Sequence, residues 1–189
     1  DGQTASVLCV EKQTKAVQPP RLYDLTTLQR ECNRIYGYTA QQTLDYLQSL
    51  YEKKLATYPR TDSQNLTEDM QATAASLILW LRDNMPFGKG CLGEPDIDRV
   101  TDGSKVTDHH AIIPTVEIAR TDLSALPSGE RDVLTLIAMR LLCATGQAHR
   151  FEAVTAVLDC AGYSFTAKGK TVLQAGWKEI ERLYRTGLK

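Results

Sequence analysis

No two cysteines of this chain form a CxxC pair. Cys9, Cys32, Cys91, Cys143 and Cys160 are an odd number and lie far apart. That spacing argues against a disulfide framework or a zinc site and for a reducing, cytoplasmic setting. Most of the five read best as small core residues. A long apolar run is missing as well, since no stretch approaches the roughly 20 residues that cross a bilayer, so no membrane partner is expected. The opening, DGQTASVLCVEK, has no initiator methionine, no basic region and no signal-like apolar segment. It reads as though cut from the middle of something longer. Internal repeats and low-complexity segments are absent too.

Excess charge of one sign is also lacking. Lys and Arg total 22 against 23 Asp and Glu, a net charge of −1, which is unpromising for a nucleic-acid binder taken as a whole. The distribution is uneven, however. Residues 21–60 carry six basic and four acidic groups, residues 61–130 five and twelve, and residues 131–189 nine and five. Basic flanks around an acidic middle leave room for a local phosphate-binding surface.

What is present suffices for one good core or two small ones: 189 residues, 42% hydrophobic and 24% charged. ASVLCVEK, residues 5–12, reads as a strand, and Pro19-Pro20 cannot continue a central strand or a helix. Asp24 can cap a helix over about 25–36 that Gly37 ends. Thr39 with Gln42 makes a capping box, opening a helix whose Leu44, Leu47, Leu50 and Tyr51 share one stripe. LATY then reads as a short strand. A third helix, about 68–84, places Met70, Ala74, Leu77, Ile78 and Leu81 on one face. Residues 85–108, rich in Gly, Pro and Asp, predict a long acidic loop. A fourth helix, about 129–145, has Ser128 as its cap and buries Leu134, Ile137, Ala138 and Leu141. Beyond His149 the period becomes alternating: FEAVTAVLD and YSFTAKGKTVL read as strands, with turns at Ala161-Gly162 and Lys168-Gly169. The order strand, helices, strands predicts an α+β fold in which a helical domain is inserted between two segments of a small antiparallel β domain. Two unconnected units are the simpler alternative.

Three groups of residues invite chemistry. In TYPRTDS, residues 57–63, Tyr58 is followed by Pro59, Arg60, Thr61 and Asp62. A free phenol has a pKa of about 10 and needs help to act as a nucleophile. An arginine fork nearby would suit a phosphodiester that gains charge during attack, and Thr61 and Asp62 can fix the loop through side-chain to backbone bonds. On spacing alone, a tyrosine at a strand end is more often a half-buried packing residue. DHHAIIPT, residues 108–115, offers His109 and His110 ahead of an apolar segment. An imidazole there can orient a phosphate near neutral pH, but a surface histidine pair is the plainer reading. Neighbouring histidines in extended chain point apart, which disfavours zinc. Asp96, Asp98, Asp102 and Asp108 lack the closing glutamate of a calcium loop and read as a solvated acidic loop.

LYDLTTLQRECNRIYGYTAQQTLDYLQSLYEKKLATYPRTDS, residues 22–63, resembles the active-site region of type IA DNA topoisomerases, the topoisomerase III branch in particular. HHAIIPT, about fifty residues on, is similar to the second signature of that family. The resemblance covers most of residues 16–120 closely. It implies that Tyr58 is the nucleophile that opens a single-stranded phosphodiester and forms a 5′-phosphotyrosyl link. Arg60 would stabilise the scissile phosphate, His109 would support the catalytic network, and Arg60, Thr61 and His109 would contact DNA. His110 receives no role. The resemblance further implies a winged-helix-like domain, residues 21–150, inserted between two segments of a β-rich arch, residues 1–20 and 151–175. Residues 176–189 would begin the return to the base of the enzyme. Magnesium would be held by an N-terminal domain of the same polypeptide that is missing from this chain, so no metal ligand is assigned here and the isolated chain is expected to be inactive. A non-catalytic single-stranded DNA-binding module of the same fold is the alternative reading.

Overall fold

The structure is a computed structural model that describes residues 3–91 and 93–188. Asp1, Gly2, Leu92 and Lys189, which fall within the predicted first segment, acidic loop and last segment, lie outside the described residues.

Three strands make one antiparallel sheet in the order β1 (Ser6–Val17), β2 (His149–Cys160) and β3 (Tyr163–Gln174). Val17 faces His149 and Val7 faces Leu158, so the two ends of the chain meet in one sheet with the helices between them. β1 runs five residues beyond the predicted strand, because the β-permissive QTKAV continues the ladder against Phe151 and His149. The turn at Ala161-Gly162 forms, with both residues at positive φ. The predicted turn at Lys168-Gly169 does not. Lys168 pairs with Thr155 and Gly169 with Val154, and β3 passes straight through. A glycine inside a ladder weakens it without obliging it to turn.

The helical body holds α1 (Leu25–Tyr36), α2 (Ala40–Glu52), α3 (Gln71–Asn84), α4 (Ser128–Ala144) and α5 (Trp177–Gly187). The caps of the first two helices follow the sequence. Asp24 accepts from the Thr27 N–H at 2.7 Å, Thr39 accepts from the Gln42 N–H at 3.1 Å, and each reciprocal bond is made. Gly37, at φ +74°, ends α1 where a side chain would be strained. Ser128 is not a cap but the first residue of α4. Pro127 occupies the cap position, where its fixed φ suits a helix start without a side-chain bond. Short 3₁₀ turns at Pro86–Gly90, Asp98–Val100 and Gly103–Lys105 structure the segment predicted as an open loop, and Met85, Phe87 and Val100 bury against the core.

One core gathers Leu28 of α1, Leu47 and Leu50 of α2, Leu77, Ile78 and Leu81 of α3, and nearly every apolar residue of α4. The Ile112-Ile113 segment and Ile180 of α5 join it. α4 is buried on most of its circumference, as befits a central helix. Leu44 is only half-buried and Tyr51 is 41% exposed, so the α2 stripe is narrower than predicted.

Candidate active site

The loop that carries Tyr58 is sewn to the segment that carries His109. Ala56 bridges Pro114, the Thr57 N–H donates to the Ile113 carbonyl at 3.0 Å, and the Thr115 N–H donates to the Leu55 carbonyl at 3.0 Å. Thr57 adds a second layer. Its hydroxyl donates to the Ala111 carbonyl at 3.1 Å and accepts from the Ile113 N–H at 3.0 Å. Leu55, Ala56 and the apolar run 111–114 are buried, so the hydrophobic effect drives these chains together while the hydrogen bonds set their register.

Tyr58 then emerges half-buried, with its ring centroid 4.1 Å from that of His109. Tyr51, on the last turn of α2, also meets Tyr58, in a T-shaped contact with the ring centroids 5.4 Å apart. Tyr58 thus touches two rings. The helical stripe of α2 predicts a core position for Tyr51, but the residue is 41% exposed and packs on Tyr58 instead.

Thr61 locks the loop from beneath. It is 8% exposed, its hydroxyl donates to the His109 carbonyl at 2.7 Å and accepts from the Ser63 N–H at 3.1 Å, and its carbonyl accepts from the Leu25 N–H at 3.1 Å. Ser63, buried as well, donates to the carbonyls of Lys105 and Asn65. Of the two residues expected to fix this loop, Thr61 does so and Asp62 is exposed.

Arg60, Thr61 and His109 line one open cleft together with the start of α1, and Asp24, Asp62 and Asp108 contribute carboxylates to the same cleft. Asp24 is committed to its cap and to the Gln64 amide at 3.0 Å. Arg60 is exposed and makes no ion pair among the described residues, so its fork is open to an anion. His110 lies aside, half-buried, with Nδ1 2.9 Å from the Ala111 carbonyl oxygen. Among the described residues no three His, Cys, Asp or Glu side chains are grouped as a metal site.

The profile of the family described as "DNA topoisomerase" matches residues 1–187. The chain belongs to the DNA topoisomerase family. It is 39% identical over 185 residues to a protein named DNA topoisomerase 3 from Bacillus cereus, and 39% identical to another of that name from Bacillus subtilis. Each alignment covers 95% of this chain and 25% of the relative. The chain thus spans about a quarter of the length of these topoisomerases. The fold is shared with full-length topoisomerase I from Thermotoga maritima at a TM-score of 0.72 and 23% identity, over 94% of this chain and 29% of that one. No helix among the described residues is long and apolar enough to cross a membrane.

Proposed function

We propose that the chain is the tyrosine-bearing part of a type IA DNA topoisomerase of the topoisomerase III kind. The observation that carries this reading is the 4.1 Å approach of the Tyr58 and His109 rings, because the two come from motifs about fifty residues apart and meet beside Arg60. In the reaction, the Tyr58 oxygen attacks a phosphodiester of single-stranded DNA. A tyrosyl–phosphorus bond forms, the bond from phosphorus to the 3′ oxygen breaks, and a proton passes to that oxygen to leave a 3′-hydroxyl. The phenolic proton is lost in the same exchange. Arg60 offsets charge on the phosphate oxygens, and His109 holds the ring and lies within reach of the phosphate. Return of the 3′-hydroxyl reverses the step with the bond energy retained, so no ATP is consumed.

In this reading the helical body is the winged-helix-like domain of the family and the sheet supplies two segments of its arch, in a cytoplasmic enzyme. The grouping of donors in the described residues does not fit magnesium, and we assign the magnesium site to the part of the polypeptide that this chain does not span. The test is a chimera in which this chain replaces the matching quarter of the Bacillus subtilis relative. With magnesium and labelled single-stranded DNA it should give a covalent adduct after denaturation, and Tyr58→Phe should give none.

A further inference from the structure

Gln64, whose amide donates to Asp24 of the cleft beside the Tyr58 loop at 3.0 Å, also lines a second cleft, with Arg21, Tyr23, Arg30, Glu31 and Arg140. Its three arginines outnumber its one carboxylate. Arg21 and Arg30 are exposed and make neither an ion pair nor a side-chain hydrogen bond among the described residues. Arg140, on α4, rests on an aromatic support. Its guanidinium carbon lies 4.2 Å from the centre of the Tyr23 ring and it donates to the Tyr23 hydroxyl at 2.8 Å. Burial pushes the Tyr23 phenol above its ordinary value, so that partner stays neutral and leaves the arginine's charge unspent. The one carboxylate at this cleft, Glu31, reaches Arg140 only at 3.8 Å and is also bonded by Arg34. By contrast, the cations of the adjoining groove, Arg99 and Lys105, are answered by Asp96 at 3.1 Å and Asp102 at 2.6 Å.

Three guanidiniums around one shared carboxylate repel each other unless an anion sits among them. The planar forks of Arg21 and Arg30 match the oxygens of a phosphodiester, and the Gln64–Asp24 bond at 3.0 Å joins this cleft to the one beside the Tyr58 loop. We propose that this cleft is a second phosphate site for the same single strand of DNA, gripping the backbone beyond the residues that meet Tyr58. The inference deepens the reading of Tyr58 as the DNA-cleaving residue, and it rests on that reading for the identity of the strand.

The test is fluorescence anisotropy of this chain with labelled oligothymidylates of about 5 and about 20 nucleotides, lengths that bracket a single-strand binding site. Affinity should rise on lengthening. In the double variant Arg21→Ala, Arg30→Ala that gain should shrink by about tenfold, and the salt slope on the long strand should fall by about 1.4, or 0.7 per phosphate contact. Lys168→Ala, Lys170→Ala, which removes the same charge from the exposed β3 strand, should change neither. Circular dichroism confirms that each variant folds, which exposed arginines should allow. An unchanged gain and slope in the arginine variant would overturn the second site. So would an equal loss at both lengths, an equal loss in the lysine control, or no salt-sensitive binding by the unaltered chain. If the arginine variant loses the gain while Arg60→Ala changes nothing, the second site stands and the reading of the Tyr58 cleft fails. If Arg60→Ala weakens binding and the arginine variant does not, the reverse holds.

Discussion

Thr61 shows how much of the site rests on one side chain. Its hydroxyl joins the Tyr58 loop to the His109 carbonyl at 2.7 Å and also takes the Ser63 N–H. Thr61→Ala would leave that buried N–H unpaired, and such a loss costs about 1–3 kcal/mol. Urea melts should report a drop of that size, and Thr61→Ser, which keeps the hydroxyl, should recover most of it. Glu31 carries a pH dependence. Burial alone would raise its carboxyl, but the Arg34 bond and charge, with Arg140 and Arg185, hold it below its ordinary value. The folded pKa is the lower one, so its contribution is present above the ordinary value of 4.5 and is lost as pH falls through the folded value. The stability gap between Glu31→Gln and the parent should therefore close progressively as pH falls below 4.5; a gap that widens on acidification would contradict this. Tyr58, Arg60 and His109 stand out as residue types in two motifs, and the structure brings the Tyr58 and His109 rings together. The supporting contacts of Tyr51 and Thr57 were not legible, since ring packing and cross-segment hydrogen bonds leave no periodic trace in a sequence.

The helices show which sequence signals survive folding. Caps are local, needing only residues three apart: the Asp24 cap and the Thr39–Gln42 box form as read, and Thr27 completes a box at α1 as well. The α3 face is likewise set by helical spacing. Leu77 is 2% exposed within the shared core, so Leu77→Ala should cost about 2–5 kcal/mol; a loss under about half a kilocalorie in denaturant melts would mean the site collapses around the gap. Where tertiary contacts decide, the sequence was silent. The 85–108 segment carries turn residues throughout, yet Phe87 and Val100 anchor it to the core. Gly90 packs so close to Ile180 of α5 that an added Cβ would lie 2.8 Å from its backbone nitrogen. Gly169 reads as a turn, but its neighbours on β2 hold it in the ladder. A pattern of residue types along the chain carries no record of such distant partners.

At the scale of the molecule, the two-part order was written in the change of period at His149. One sheet built from both ends is the economical way to protect three strands that would be marginal apart. The sheet's partners are another matter. Val7, Leu8, Phe165 and Tyr163 stand 55–73% exposed, and the chain covers only a quarter of its relatives. In the proposed reading, the same partial coverage bears on activity. No three metal donors are grouped among the described residues, and in the proposed reading metal assistance, typically worth several kcal/mol, comes from another part of the polypeptide. The chain alone should give no covalent adduct with single-stranded DNA and magnesium. An adduct seen with the unaltered chain, and lost in Tyr58→Phe, would overturn that expectation.

Mapping the point of attachment in the chimera tests the central claim most directly. The chain has eight tyrosines, and several, such as Tyr36, Tyr38 and Tyr184, already hydrogen-bond within the fold. The covalent complex would be trapped by denaturation, digested with nuclease and protease, and sequenced by mass spectrometry. The expected result is a nucleotide linked through its 5′ phosphate to Tyr58 and a free 3′-hydroxyl on the released strand. A nucleotide on any other residue, or a 3′-phosphate link with a free 5′-hydroxyl, would contradict the assignment of Tyr58 as the type IA nucleophile.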